Sequence, residues 1–197
     1  AYKDQVLEKD YRYNTLNQLV GYSDVTHYLS YQYRYYPDGR RFSKQDATSG
    51  EAIYYYYGGN GKLLNEEDWQ QSDLHYISSY FVGERFLQDQ HNVNDSILRQ
   101  NLSNRHNTAV SVSSQAGISH SDSIHLDDYG RQVDANQSTL DTPVIGFNFT
   151  ANPYRYGSGY YDNESGLNYQ GARYYDPEIQ RFVAQDSYDL VNRYNYA

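Results

Sequence analysis

Two aspartates, Asp176 and Asp186, are the side chains best suited to catalysis in this chain. Carboxylates held close together cannot both ionise easily, so one keeps a proton; an aspartyl-type site uses that arrangement to activate water. A structural role competes with this chemistry: Asp176 precedes Pro177 and suits a turn, and Asp186 can pair with Arg173 or Arg181. Other clusters are weaker. Asp162-Asn163-Glu164-Ser165-Gly166 alternates oxygen ligands with a glycine, as calcium loops do, but it lacks their length and bidentate terminal Glu, and a hairpin turn is the better reading. His120 and His125 stand five apart with Asp122 between them, which is not helical metal spacing. Gly157-Ser158-Gly159 precedes a strand rather than a helix, so it is no phosphate cradle. The sequons Asn101-Leu102-Ser103 and Asn148-Phe149-Thr150 matter only in a glycosylating pathway. No metal and no cofactor is expected.

The elements that would position these residues are extended. Of 197 residues 26 are Tyr, against 6 Phe, 1 Trp and no Met. A tyrosine buries a large ring but needs a partner for its hydroxyl, which suits sheets with partly wet faces better than a dry helical core. A mean hydropathy of -0.94 raises the question of disorder, but disordered chains are poor in aromatics and this one is 17% aromatic. The net charge of -9, with Lys and Arg mostly scattered singly, disfavours nucleic acid as a partner. Without cysteine there is no disulfide and no thiolate metal site. No signal peptide or transmembrane run is visible, and the opening Ala1-Tyr2-Lys3-Asp4-Gln5 reads as mid-chain sequence, so an export signal can lie upstream.

Residues 11–64 form a loose repeat of hairpins. Tyr11-Arg12-Tyr13 leads to Leu16, Leu19 and Val20, with Gly21 as a breaker. Tyr31 to Tyr36 alternates tyrosine with polar residues and ends in the turn Pro37-Asp38-Gly39, where Pro presets φ and Gly supplies a positive one. Tyr54 to Tyr57 meets Gly58-Gly59-Asn60-Gly61 and returns through Lys62-Leu63-Leu64. The tyrosine clusters start at 11, 31 and 54, in the range of stacked repeat architectures. Glu66-Glu67-Asp68-Trp69 reads as a charged entry to strands between Ile77 and Leu87. Residues 88–107 read as a long loop or a short helix around Ser96–Leu102, capped by Ser96. Thr108 to Ser113 and Ile124 to Arg131 read as strands, Gln115-Ala116-Gly117 as a turn, and Asp134 to Thr142 as a polar linker into Val144-Ile145-Gly146-Phe147-Asn148-Phe149.

The densest stretch follows. Tyr129-Gly130-Arg131, Asn152-Pro153-Tyr154-Arg155-Tyr156, Tyr160-Tyr161-Asp162-x-Glu164-x-Gly166-Leu167-x-Tyr169 and Arg173-Tyr174-Tyr175-Asp176-Pro177-x-x-x-Arg181-Phe182-x-x-x-Asp186 closely resemble the C-terminal core of RHS-repeat (YD-repeat) proteins. The upstream hairpins are similar to the YD repeats that precede that core, and Asn192 with Tyr194 and Tyr196 resembles the start of its next segment. The resemblance divides the chain into YD-repeat shell over 1–128 and core motif over 129–197. It implies an all-β fold of stacked β-hairpin repeats forming part of a spiralling, hollow shell, with the core motif sealing one end.

Such shells enclose a C-terminal toxic polypeptide in polymorphic toxins and insecticidal toxin complexes, and release it by self-cleavage just past the core. The partners implied are upstream shell repeats, a toxin polypeptide of the same precursor and a delivery or secretion apparatus, in a bacterial protein that acts outside its cell; membrane contact is not indicated. Ser187 stands where the family usually has Pro, Tyr188-Asp189-Leu190-Val191 replaces a Gly-rich run, and the chain ends before the family's Asp-Pro-x-Gly-Leu cut segment. The expectation is therefore a non-enzymatic shell segment; a self-processing aspartyl module using Asp176 and Asp186, and a tyrosine-rich surface for glycans or a receptor, are the alternatives.

Overall fold

The computed structural model describes residues 8–70, 73–81, 86–91, 96–103, 108–115, 118–133 and 153–184. The strands are β1 (Lys9–Tyr13), β2 (Leu19–Asp24), β3 (Leu29–Tyr35), β4 (Arg41–Asp46), β5 (Ala52–Tyr57), β6 (Leu63–Gln70), β7 (Asp73–Phe81), β8 (Phe86–His91), β9 (Ser96–Ser103), β10 (Thr108–Gln115), β11 (Ile118–Leu126) and β12 (Gln132–Val133). All twelve join one sheet in which each strand pairs with its neighbours in sequence, antiparallel throughout. A second sheet of four short strands follows: β13 (Tyr160–Asp162), β14 (Leu167–Tyr169), β15 (Tyr174–Asp176) and β16 (Arg181–Phe182). The fold is all-β, built from successive hairpins, and no helix among the described residues is long and apolar enough to cross a membrane.

The first three hairpins are one device repeated every 22 residues. Their turns occupy 14–18, 36–40 and 58–62, and in each the first N–H bonds the fifth carbonyl while the fourth N–H bonds the first carbonyl. The fourth residue has positive φ in every case: Asn17 at 61°, Gly39 at 89° and Gly61 at 78°. Glycine takes that conformation freely and asparagine better than most other residues, which accounts for the residue types. Asp38 and Asn60, again 22 apart, accept bonds from the N–H two residues on. The return strand then skips one residue in its pairing: Val20, Phe42 and Leu64 are passed over between matched partners. Each is a β-bulge, which bends the strand and strengthens its twist. The same five-residue turn recurs at 127–131.

Repeated bulges curl the sheet. Twelve flat strands would separate β1 from β12 by about 50 Å at the usual inter-strand spacing. Instead Lys9 and Tyr11 of β1 line a single cavity of about 140 Å³ with Leu126 and Gln132 from the far end of the sheet. No backbone pairing joins β1 to β12 among the described residues, so the sheet bends back on itself without closing as a barrel. The four-stranded sheet occupies the gap. Leu167, Tyr169 and Tyr174 share a core with Leu19, Tyr22, Leu29, Tyr31 and Tyr33 of the first hairpins, flanked by Tyr13, Tyr35 and Val183.

Three expectations need correction. Gly21 does not break β2 but lies inside it, opposite Arg12, whose guanidinium covers it so closely that a Cβ would come within 2.5 Å. Residues 66–69 are strand interior, with Glu66 and Asp68 buried. Ser96–Ser103 is a strand, not a helix or loop, and so is Phe86–His91. Their polar composition is a poor strand signal, but a strand between two partners gains its ladder from both sides, and neighbours override propensity. The expected turn at 116–117 and the linker and apolar run at 134–149 lie outside the described residues.

Candidate functional site

The four-stranded sheet is fastened to the concave face by a buried cluster of charges. It begins at the bulge of the second hairpin. A strict two-residue alternation would send Arg41 and Lys44 to opposite faces; passing over Phe42 turns both inward. They meet the turn between β13 and β14, where the Asp162 carbonyl accepts the N–H groups of Ser165 and Gly166 and Gly166 adopts a φ of 74°. That tight turn holds the Asp162 and Glu164 carboxylates toward the sheet.

Arg41 donates through one terminal nitrogen to Asp162 in a short ion pair and to the Tyr174 hydroxyl at 3.2 Å, and through the other to the Tyr55 hydroxyl at 3.0 Å. Its backbone N–H donates to the Tyr169 hydroxyl at 3.0 Å. The rings of Tyr55, Tyr169 and Tyr160 lie 4.4, 4.8 and 4.9 Å from its guanidinium carbon. Lys44 bridges Asp162 at 3.1 Å and Glu164 at 3.0 Å, and the Tyr33 hydroxyl completes Glu164 at 3.0 Å. Arg41 and Asp162 are both 0% exposed. Two cations thus face two anions away from water.

Burial works against the charges on Arg41 and Lys44, but their carboxylate neighbours outweigh it and hold both pKa values above the ordinary range. For Glu164 burial wins over the attraction of Lys44, and its carboxyl is raised. Burial also raises Tyr33, Tyr55 and Tyr174, so these hydroxyls keep their protons and serve as neutral hydrogen-bonding groups. A cluster of this kind is no strong source of net stability, because desolvation offsets attraction, but losing one member leaves a buried charge unpaired at about 3–5 kcal/mol. The pairs tie the β13–β14 turn of the motif to the second hairpin.

A second attachment lies at the far end of the sheet. Tyr175 donates to the Tyr129 carbonyl at 3.0 Å and stacks on Tyr156 at 5.4 Å. Gly130 leaves room for the Tyr156 ring; a Cβ there would approach it to 2.5 Å. The motif therefore touches the first hairpins on one side and the 127–131 turn on the other, spanning the gap that the curled sheet leaves.

The remaining motif residues pack against one another or cap turns. Leu167 and Phe182 are buried, Tyr161 faces Arg155, and Arg173 lies over Phe182 at 3.6 Å. Pro177 is buried in the turn before Arg181, which is exposed and opposite Asp176 in register. Asp176 accepts the N–H groups of Glu178 at 2.8 Å and Ile179 at 3.4 Å, which is the work of a turn cap; burial raises its carboxyl, with Lys9 opposing. Asp186 lies outside the described residues, so no Asp176–Asp186 pair is described. In the Asp162–Gly166 loop, Asp162 and Glu164 are committed to Arg41, Lys44 and Tyr33 rather than open to a cation. Among the described residues no group of three or more His, Asp or Glu side chains is placed to hold a metal.

Sequence reasoning missed Arg41, Lys44, Tyr33 and Tyr55. The 22-residue step carries a usable signal: Arg41 stands where the neighbouring repeats have Leu19 and Leu63, and Lys44 where they have Tyr22 and Glu66. For Arg41, a charge at a position that is apolar in both sister repeats points to a partner elsewhere in the chain; Lys44 carries no such signal, since Glu66 is charged as well.

No family model matches this sequence. Over 51 residues it is 41% identical to the double-stranded DNA deaminase toxin A of Burkholderia cenocepacia (strain H111), a match covering 24% of this chain and 4% of that protein. Among solved structures it is similar to TcdB2-TccC3, with a TM-score of 0.44, 16% identity, and 96% of this chain against 15% of the other. The form lacking the hypervariable C-terminal region gives 0.45, 15%, 96% and 15%. The chain thus spans a small part of each relative. The sequence likeness is to a bacterial toxin, in keeping with the class to which the motif's resemblance points.

Proposed function

We propose that this chain is a segment of an RHS-type toxin shell whose C-terminal motif seals the curled hairpin sheet around a toxic polypeptide of the same precursor, before delivery outside the bacterial cell. The observation that carries this reading is the motif's place: it bridges two ends of one sheet and is fastened there by the buried Arg41, Lys44, Asp162 and Glu164 cluster. A curled sheet with a fitted plug suits containment, and the first three hairpins, each too small to stand alone, are stabilised by stacking on their neighbours. The Asp176 turn bonds support a structural part for that residue rather than a share in self-cleavage.

Limited proteolysis of the full precursor tests the reading. The downstream polypeptide should survive protease doses that degrade it when it is expressed alone, and Arg41→Ala should expose it. Equal digestion in both forms of the unaltered sequence would contradict containment. For the processing alternative, Asp176→Asn should leave release of the downstream fragment unchanged; loss of release in a folded variant would restore Asp176 as a catalytic candidate.

A further inference from the structure

The outer face of the third hairpin carries a carboxylate for which the described residues supply no cation. Tyr55 and Glu66 face inward as a matched pair, so their alternates Tyr54, Tyr56, Glu67 and Trp69 face outward. Glu67 lies opposite Tyr54 on one side and Ile77 on the other, and Trp69 lies opposite Ala52 and Leu74. The Tyr56 hydroxyl and Trp69 Nε1 both donate to one carboxylate oxygen, Oε2, at 3.0 Å each. Those two bonds fix a ring on either side of the acid. The second oxygen, Oε1, is neither bonded nor buried, and Glu67 forms no ion pair among the described residues. Tyr56 and Leu74 are exposed.

The interior of the same molecule shows what such a group holds. Around Arg41 a carboxylate, tyrosine hydroxyls and tyrosine ring faces together hold one guanidinium. Three further arginines lie over rings: Arg40 on Tyr57 at 5.0 Å, Arg155 on Tyr161 at 5.5 Å and Arg173 on Phe182 at 3.6 Å. The outer site has the same parts, an acid with aromatic rings beside it, and lacks the arginine. A carboxylate set among apolar side chains selects a cation, and the negative ring faces select it again. Guanidinium meets both demands at once: lying flat on a ring, it still directs N–H groups sideways at Oε1. An ammonium is more strongly hydrated and has no flat face to stack. A neutral hexose can stack on the rings but carries no charge to set against Glu67.

We infer that the outer face of β5 and β6 is a docking surface for an arginine side chain of a partner polypeptide. The guanidinium stacks on the rings beside Glu67 and donates to Glu67 Oε1, while apolar neighbours in the partner cover Leu74 and Ile77. The surface faces away from the motif, so the inference goes beyond the shell reading and does not depend on what the sheet encloses.

Trp69 is the chain's single tryptophan, so its fluorescence reports directly on this site. The test is titration of the full chain with acetyl-Ala-Arg-Ala-amide, its citrulline and lysine counterparts, and a methyl hexoside. The arginine peptide should give a saturable change. Citrulline keeps the shape of the guanidinium without its charge and should bind about tenfold more weakly, and lysine about threefold more weakly. Glu67→Gln keeps an acceptor for Tyr56 and Trp69 but removes the charge; urea unfolding should be unchanged and arginine binding about tenfold weaker. Tyr56→Ala should weaken binding about threefold by removing one ring. No saturable change with the arginine peptide, equal binding of citrulline, or undiminished binding by Glu67→Gln would overturn the inference. Lysine binding as tightly as arginine, or a preference for the hexoside, would overturn the choice of occupant.

Discussion

The first and second hairpins share a backbone and differ in what they hold. Both carry the same five-residue turn, the same positive φ at its fourth residue and the same skipped residue in the return strand. At matched inward positions the first has Leu19 and Tyr22, and the second has Arg41 and Lys44. The backbone repeat therefore comes from turn and bulge chemistry, while placement of the motif comes from side chains that only one repeat supplies. A wholly apolar second hairpin would still bury area but would accept the motif in several registers, since apolar contact is non-directional.

That contrast can be broken most forcefully at Arg41. Arg41→Ala strands Asp162 with Lys44 as its one remaining cationic partner and should cost about 3–5 kcal/mol in urea unfolding of the full chain. Leu19→Ala, at the matched position of the first hairpin, removes only buried methyl groups and should cost about 3 kcal/mol. If the two losses were equal and Arg41→Leu were harmless, the second hairpin would be no different in kind from the first.

The shared part of the comparison can be tested in the turns. Gly61→Ala places a Cβ at a φ of 78° and should destabilise by about 1–2 kcal/mol. Asn17→Gly, at the same repeat position, should stabilise the first turn or leave it unchanged, because Asn17 already holds a φ of 61° against its preference.

The smallest effect concerns pH. Burial raises Glu164 in the folded chain, with Lys44 opposing, so the folded state binds that proton more tightly than the unfolded state does. Its contribution is fully present below the ordinary Glu range and is lost as pH rises through the raised folded value. Glu164→Gln should flatten this part of the stability profile. A profile in which the same substitution removes an acid-side loss instead would reverse the assignment. Asp176, also raised by burial, contributes in the same direction.

Much of this architecture can be read from residue types. Tyrosine alternation in Tyr31 to Tyr35 marks β3, Pro37-Asp38-Gly39 and Gly58 to Gly61 mark two turns, and Asp162 to Gly166 marks the hairpin that carries the motif's acids. The charge cluster is hidden because a bulge breaks the alternation from which facing is judged, and because Arg41 and Asp162 are 121 residues apart. Gly21 misleads for a related reason: a glycine signals a break unless a cross-strand side chain such as Arg12 takes the space. The strands at 86–91 and 96–103 are obscured because the ladder is completed by partners and not by their own propensity.

The claim that a buried ion pair fixes the motif on the second hairpin is tested most directly by a double-mutant cycle on Arg41→Leu and Asp162→Leu. Each single change should be strongly destabilising, and the double variant should recover at least about 2 kcal/mol of the summed loss, since both buried charges vanish together. Additivity within about 0.5 kcal/mol would mean that the two side chains do not act as a pair, and would contradict the account.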